Sequence, residues 1–309
     1  MQIKKPLFWD LKKQNLISKI LKIFSYILIL INNTKRNTSK VFGIKTICVG
    51  NIYLGGTGKT PTCIYINNAL KKYGYKTTFV KKFYQNQKDE QLLLKKYGNL
   101  ICKSERINAI ELAKSKKFNF AICDDGLQDK KVDYDLKIAC FNSKAAIGNG
   151  LVIPAGPLRE KLENLNKYHA VIINGNGENI IKLKNHLKKF NKNLKIFQGN
   201  YIVDGNIKYL KNKNFVAFSG IGNHSTFLKT LKKNKIKILK NFNFPDHYNY
   251  TDHDIAKIKK EADRLNSKII TTEKDYLRLS KKNRKKINII KKKIEIQKKI
   301  EFTNYLKNL

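Results

Sequence analysis

The run Gly55-Gly56-Thr57-Gly58-Lys59-Thr60-Pro61 brings together the residue types that hold a nucleotide's phosphates. Glycines let consecutive main-chain N–H groups turn toward phosphate oxygens, a lysine reaches the β- and γ-phosphates, and a threonine hydroxyl can ligate Mg²⁺. The strict loop pattern would place a glycine where Tyr53 stands, so Gly55 and Gly56 must supply the freedom instead. Tyr53, Leu54, Gly55, Gly56, Thr57, Gly58, Lys59 and Thr60 are therefore the candidate nucleotide-binding residues. Such a loop needs a second acid for its metal. Residues 118–123 are an apolar run that ends in Asp124-Asp125-Gly126-Leu127-Gln128. Two carboxylates at the carboxyl end of a strand lie where open α/β sheets bind ligands, which makes Thr60, Asp124 and Asp125 the candidate Mg²⁺ ligands. Guanine readout would favour Asn-Lys-x-Asp, and the corresponding late strand reads Ile172-Ile173-Asn174-Gly175-Asn176, so ATP is the expected nucleotide.

These residues need a strand before the loop and a helix after it, and the periodicity supplies both. Residues 44–49 read as a buried strand and 60–73 as an amphipathic helix, followed by a strand at 76–80. Helical patterns at 90–97 and 107–114 alternate with strands at 118–123, 136–141 and 170–174. That alternation predicts a mostly parallel sheet with helices on both faces, a P-loop NTPase-like α/β domain. The last third alternates in the same way on a smaller scale. A strand at 215–218 runs into Ser219-Gly220-Ile221-Gly222-Asn223 and a helix, then come a second helix at 254–265 and a strand at 268–271. We therefore expect a helical amino-terminal segment (1–38), a P-loop domain (39–200) and a smaller α/β domain (201–309), joined around 199–214. Short strands at 287–290 and 294–296 complete the tail.

The 309 residues carry 64 Lys and Arg against 23 Asp and Glu, a net charge of +41. Such a surface seeks anions, although the Lys excess travels with Asn and Ile, as an AT-rich codon bias would produce, and only six basic residues are Arg. The five cysteines form no CxxC pair and the histidines no HExxH, which excludes a disulfide framework, a zinc knuckle and a zinc protease, and suits a reducing compartment. Residues 16–31 are the most lipid-like stretch. Spanning a bilayer takes about 20 apolar residues, and Lys19 and Lys22 interrupt this shorter run. No small-residue cleavage site follows, which speaks against a secretory signal. An interfacial helix fits, with Lys12, Lys13, Lys19, Lys22, Lys35 and Arg36 at anionic headgroups and Phe24, Ile27, Leu28 and Ile31 in the acyl boundary. The alternative is a buried core helix.

With these residues placed, the chain resembles the tetraacyldisaccharide 4'-kinase family. The resemblance rests on an ordered series: Pro6-Leu7-Phe8-Trp9, Val49-Gly50-Asn51 leading into the glycine loop, Asp89-Glu90 ahead of Leu92-Leu93-Leu94, and Asp124-Asp125-Gly126-Leu127-Gln128. Gly148-Asn149-Gly150, Pro154-Ala155-Gly156-Pro157-Leu158-Arg159-Glu160, Ser219-Gly220-Ile221-Gly222, Phe244-Pro245-Asp246-His247-Tyr248 and Thr271-Thr272-Glu273-Lys274-Asp275 follow. The family's phosphate loop also lacks the first glycine. The chain departs from the family in three places: Lys81-Lys82-Phe83-Tyr84 stands for Ser-Arg-Gly-Tyr, Lys88-Asp89-Glu90-Gln91 for Gly-Asp-Glu-Pro, and Asp129 for a His.

The resemblance implies transfer of the ATP γ-phosphate to the 4'-hydroxyl of a tetraacylated glucosamine disaccharide 1-phosphate, with ATP and Mg²⁺ as cofactors. Lys59, Arg106 and the loop amides would neutralise the transferring phosphate, and Asp89 would pair with His247 as a base dyad. Glu90, Gln128, Arg159 and Glu160 are further candidates to line the site. The implied partners are the acylated lipid and an anionic membrane surface, with no nucleic acid and no obligate protein partner. The implied location is the inner membrane, peripheral or anchored by the amino terminus, with the site on the cytoplasmic side. Two rivals remain at this point. A P-loop switch or metal chaperone would want a guanine motif or Cys/His ligands, and a basic nucleic-acid-binding protein would want aromatic-studded basic surfaces.

Overall fold

The computed structural model describes residues 6–11, 14–33, 39–84, 88–177 and 179–309, with the main chain alone at 31–33. The anticipated headgroup contacts of Lys12, Lys13, Lys35 and Arg36, and the side chain of Ile31, lie outside the described residues. In chain order the elements are α1 (Leu16–Asn33), β1 (Lys45–Gly50), α2 (Lys59–Lys71), β2 (Thr77–Lys82), α3 (Lys88–Tyr97), β3 (Asn99–Lys103), α4 (Arg106–Ser115), β4 (Phe120–Asp124), β5 (Leu136–Asn142) and β6 (Ala170–Asn174). There follow α5 (Asn179–Lys188), β7 (Lys195–Asp204), β8 (Asn214–Ser219), α6 (His224–Lys233), β9 (Lys237–Asn243), α7 (Asp252–Arg264), β10 (Lys268–Thr272), α8 (Glu273–Arg278), β11 (Ile287–Ile296) and α9 (Lys299–Lys307).

The chain forms two compact units. The first comprises 1–83, 97–201 and 294–309, and the second 84–96 and 202–293. This grouping departs from the contiguous ranges 39–200 and 201–309 in two places: the α3 segment belongs to the second unit and the carboxyl-terminal helix to the first. The reason in the second case is aromatic packing, since Phe302 on α9 is fully buried with its ring 4.7 Å from that of Phe197 and 6.0 Å from that of Tyr65. A separate α9 and a single strand at Ile287–Ile296 replace the two short tail strands expected from sequence.

In the first unit the strand order is β3-β2-β4-β1-β5-β6-β7. Every registered pair in it is parallel. Continuous apolar runs such as Ala-Val-Ile-Ile on β6 are buried on both faces, as parallel strands covered by helices require. The register sets Val49 of β1 opposite Asp124 of β4, so the phosphate loop and the two acids leave adjacent strands at the same end of the sheet. In the second unit the order is β11-β10-β8-β9, again parallel. Phe215 and Ala217 of β8 join one apolar cluster with α6 residues, and Val216 and Phe218 join the other with α7 residues, the period of two expected of a strand with helices on both faces.

Helix α1 carries its polarity inside out. Among its described side chains Ser18 and Ser25 are the buried ones, and the Ser25 hydroxyl donates to the Val152 carbonyl at 2.8 Å and accepts from the Ala155 N–H at 3.3 Å. Leu16, Ile17, Ile20, Ile23, Phe24, Ile27, Leu28 and Leu30 are all exposed, Ile23 by 66%. This excludes the buried core helix. Among the described residues no helix is long and apolar enough to cross a membrane. Trp9 fixes the segment ahead of α1, with its indole N–H donating to the Pro154 carbonyl at 3.0 Å and its own carbonyl accepting from Asn149 N–H at 2.9 Å.

Candidate active site

The phosphate loop leaves β1 and enters α2 through Gly58, whose φ of +98° is open to glycine at little cost. A Cβ there would also collide with the Asn174 amide and the Tyr201 hydroxyl. Asn51 and Asn174 hold the loop from both ends. The Asn51 amide donates to the carbonyls of Tyr53 and Gly55, and the Asn174 amide to that of Thr57 at 2.5 Å. Lys59 Nζ lies 3.2 Å from Asn51 Oδ1 and 3.7 Å from Asp125 Oδ2. Tyr53, by contrast, turns its ring into the core and donates its hydroxyl to Asp10 at 2.8 Å, so only its main chain is left for a phosphate.

The two acids are held differently. Asp124 is fully buried, and its Oδ2 accepts from Thr60 Oγ1 at 3.1 Å and from Lys81 Nζ at 3.0 Å. Asp125 has a φ of +61°, strained for a residue with a side chain. Its Oδ1 accepts from Arg159 at 2.6 Å. Burial alone would push the Asp125 carboxyl up, but Lys59 and Arg159 outweigh it and keep it below the usual carboxylate value. Arg106 is buried and committed: it donates to the Asp125 carbonyl at 2.5 Å and to Asp129 at 2.8 Å. In this structure it therefore props the strained acid, and Asp129 serves as its counter-ion. Gln128 donates to Glu160 at 2.7 Å and to the Asn51 carbonyl at 3.0 Å, while Tyr168 donates to Glu160 at 2.5 Å. The candidates Gln128, Arg159 and Glu160 thus form one network with Asp125.

Thr60, Asp124 and Asp125 suit a small hard cation. Asp124 Oδ1 and Thr57 Oγ1 are buried and have no hydrogen-bond partner among the described residues. Oxygen donors with a free lone pair beside a phosphate loop are what Mg²⁺ takes, the phosphates and water completing its shell.

In the second unit Asp89 opens α3 and is 3% exposed. Its Oδ1 lies 3.1 Å from His247 Nδ1, and its Oδ2 accepts from Arg278 at 2.6 Å. His247 follows β9 with a φ of +57°, held by its N–H to the Gly220 carbonyl at 3.1 Å. A cluster of Phe244, Tyr248 and Tyr250 braces that turn, with ring centroids 4.9–5.4 Å apart. Arg278 also donates to Asp275 at 2.9 Å. Asp275 accepts further from Tyr250, Thr272 and the Gly220 N–H. Burial opposes charge on Asp89, yet the hydrogen bond from His247 and the cations Lys274 and Arg278 hold it well below the usual carboxylate range. The Asp89 hydrogen bond raises His247 above its ordinary 6.5. Glu90 pairs with Lys274 at 2.9 Å.

Sequence reasoning singles out Asp89 and His247 but not the cations and acid behind them. Behind Asp89, Asp275 closes the Thr-Thr-Glu-Lys-Asp run and Arg278 follows it by one turn; Lys81, which meets Asp124 instead, stands among the departures from the family pattern.

Because the Asp89 carboxylate is what raises His247, Asp89→Asn should lower the His247 titration midpoint toward or below 6.5. Histidine-detected NMR across pH 5–9 reads this directly (a range set around the free-imidazole value of about 6.5). An unmoved midpoint would show that the two side chains do not interact in solution.

A family model described as tetraacyldisaccharide-1-P 4'-kinase matches residues 17–309. The tetraacyldisaccharide 4'-kinase of Pelagibacter ubique (strain HTCC1062) is 48% identical over 310 residues, 99% of this chain and 98% of that protein. That of Rickettsia bellii (strain OSU 85-389) is 33% identical over 293 residues, 89% of each. A crystal structure of LpxK from Aquifex aeolicus in complex with ATP matches with a TM-score of 0.75, covering 95% of this chain and 99% of that one. At 22% identity that likeness speaks to the fold, a P-loop NTPase-like α/β architecture with mostly parallel strands. With a family match that spans nearly the whole chain and a relative at 48% identity, the chain belongs to the tetraacyldisaccharide 4'-kinase family, the ATP-binding kinases of lipid A biosynthesis.

Proposed function

We propose that the chain transfers the γ-phosphoryl group of ATP to the 4'-hydroxyl of a tetraacylated glucosamine disaccharide 1-phosphate, giving the lipid A precursor lipid IVA. The observation that carries this reading beyond nucleotide binding is the Asp89–His247 contact, which joins two family segments 158 residues apart into an acid–base pair. A nucleotide switch needs the loop and the Asp124-Asp125 pair; an acceptor hydroxyl needs somewhere for its proton to go. In the transfer the sugar oxygen bonds to Pγ, the bond from Pγ to the β-bridging oxygen breaks, ADP departs, and the hydroxyl proton passes into the Asp89–His247 pair. Arg278 keeps Asp89 ionised and fixes one oxygen, which leaves the other for the imidazole. The glycine-loop amides and Lys59 hold the β- and γ-phosphates and meet the charge that develops on them. Thr60 and the Asp124-Asp125 pair would hold Mg²⁺, which would supply positive charge against the charge that develops on the phosphates.

The exposed apolar face of α1 supports docking on the cytoplasmic side of the inner membrane, where a lipid with four acyl chains resides. Aliphatic and aromatic side chains on that face would sink into the acyl boundary, with Lys19 and Lys22 at the headgroups, as an interfacial helix does. Because Ser25 ties the opposite face to residues 152 and 155, the helix can present its apolar side without leaving the protein.

Asp89→Asn and His247→Ala should each lower kcat by roughly two to four orders of magnitude, the span of a lost general base. The double variant should be little worse than the worse single one, since residues that act as a unit are not additive. Purely additive losses would refute the dyad, and a main effect on ATP affinity would move Asp89 to the nucleotide shell. For the membrane reading, replacing the exposed Ile20, Phe24 and Ile27 together by Gln should cut co-sedimentation with anionic phospholipid vesicles by at least about tenfold, each side chain being worth about 1.5–3 kcal/mol when buried. Unchanged sedimentation of the folded variant would leave α1 without a membrane role.

A further inference from the structure

Lys81 lies on β2 with its side chain 2% exposed, and its ammonium meets the fully buried Asp124 at 3.0 Å. The oxygen it touches is the same Oδ2 that accepts from Thr60, the loop threonine, while Oδ1 has no hydrogen-bond partner among the described residues. Lys81 therefore occupies one side of the carboxylate assigned to the metal and leaves the other open. Around the loop, three cations face two carboxylates: Lys81 on Asp124, and Lys59 and Arg159 on Asp125. Lys81 thus offsets the charge of Asp124, as Lys59 and Arg159 offset that of Asp125.

We propose that Lys81 is a built-in counter-cation of the phosphate site. It offsets the repulsion that Asp124 would exert on nucleotide phosphates, so the loop attracts them before any divalent ion arrives. By the same charge it weakens the hold of Asp124 on Mg²⁺, because a cation 3.0 Å from the carboxylate competes for its field. The consequence is a nucleotide affinity that depends little on metal and a metal affinity set by a lysine on the neighbouring strand. The arrangement is held by burial: both side chains are buried, and breaking such a pair from one side leaves a charge uncompensated. The inference rests on the reading of the loop as the ATP site.

The test is ADP binding by titration calorimetry on the full chain, in EDTA and in saturating Mg²⁺, with thermal melting to establish folding. In the wild-type protein, Mg²⁺ should strengthen ADP binding by less than about tenfold, as expected of a site whose carboxylate is already offset. Lys81→Met should weaken metal-free binding by about tenfold or more while changing the Mg²⁺-loaded affinity by less than about threefold, and should lower the Mg²⁺ concentration that half-saturates the complex. Lys81→Met combined with Asp124→Asn removes both charges and should regain most of the metal-free affinity. Equal losses in EDTA and in Mg²⁺, no loss in EDTA, or a double variant as weak as Lys81→Met would overturn the proposal. If Lys81→Met does not fold, Asp124→Asn alone decides: with the carboxylate's charge removed from beside the loop, it should tighten metal-free ADP binding, and an unchanged or weaker affinity contradicts the idea. A folded wild-type protein that binds no ADP in either condition would instead remove the nucleotide-site reading itself.

Discussion

Two adjacent carboxylates at the end of β4 must stay charged in a site that has to attract anions, and the cations that compensate them organise the rest of the first unit. Asp124 is balanced from the β2 side by Lys81 and Asp125 by Lys59 and Arg159, while Arg106 holds the carbonyl of the strained Asp125. The parallel register of β1 against β4 brings these acids to the mouth of the phosphate loop. Gly58 then lets the loop close over Asn174 and Tyr201 where any side chain would collide. Each of these features depends on the charge balance: without the cations, burying Asp124 completely would be prohibitive.

The second unit solves a similar problem with different parts. A buried Asp89 is useful to a proton transfer only if it is held ionised and aimed, and Arg278 does both from a helix that follows β10. Asp275 steadies Arg278 in turn and ties it to the Gly220 turn, the same turn that fixes His247. One segment, the Thr-Thr-Glu-Lys-Asp run, thereby supports both members of the pair without containing either.

The loop, the acid pair and their flanking elements were legible in the sequence because their signals are local. Short apolar runs, Ile47-Cys48-Val49 and Phe120-Ala121-Ile122-Cys123, mark β1 and β4, glycines mark the turn, and adjacent acids stand out in a chain of net charge +41. The edge strand β3 was not legible, since Asn-Leu-Ile-Cys-Lys has only one buried position and is too short to show a period. The return of α9 to the first unit depends on Phe302 meeting Phe197 and Tyr65, a contact between distant segments that no local pattern announces. Lys81 and Arg278 were hidden for a related reason: in a lysine-rich sequence a buried cation looks like the dozens of exposed ones, and only its partner distinguishes it. For α1 the apolar composition admitted two readings, and the two serines that face the protein decide between them.

Whether this chain phosphorylates the 4' position of an acylated disaccharide is decided by a single assay. Purified protein would be given ATP, Mg²⁺ and a 1-phosphorylated tetraacylated glucosamine disaccharide in detergent micelles, with the product read by mass spectrometry and phosphorus NMR, and Lys59→Ala as the control. The expected result is one added phosphate at the 4' oxygen, stoichiometric release of ADP, and no product from the control. A folded wild-type protein that leaves the disaccharide unchanged, or a Lys59→Ala variant that turns over like wild type, would contradict it.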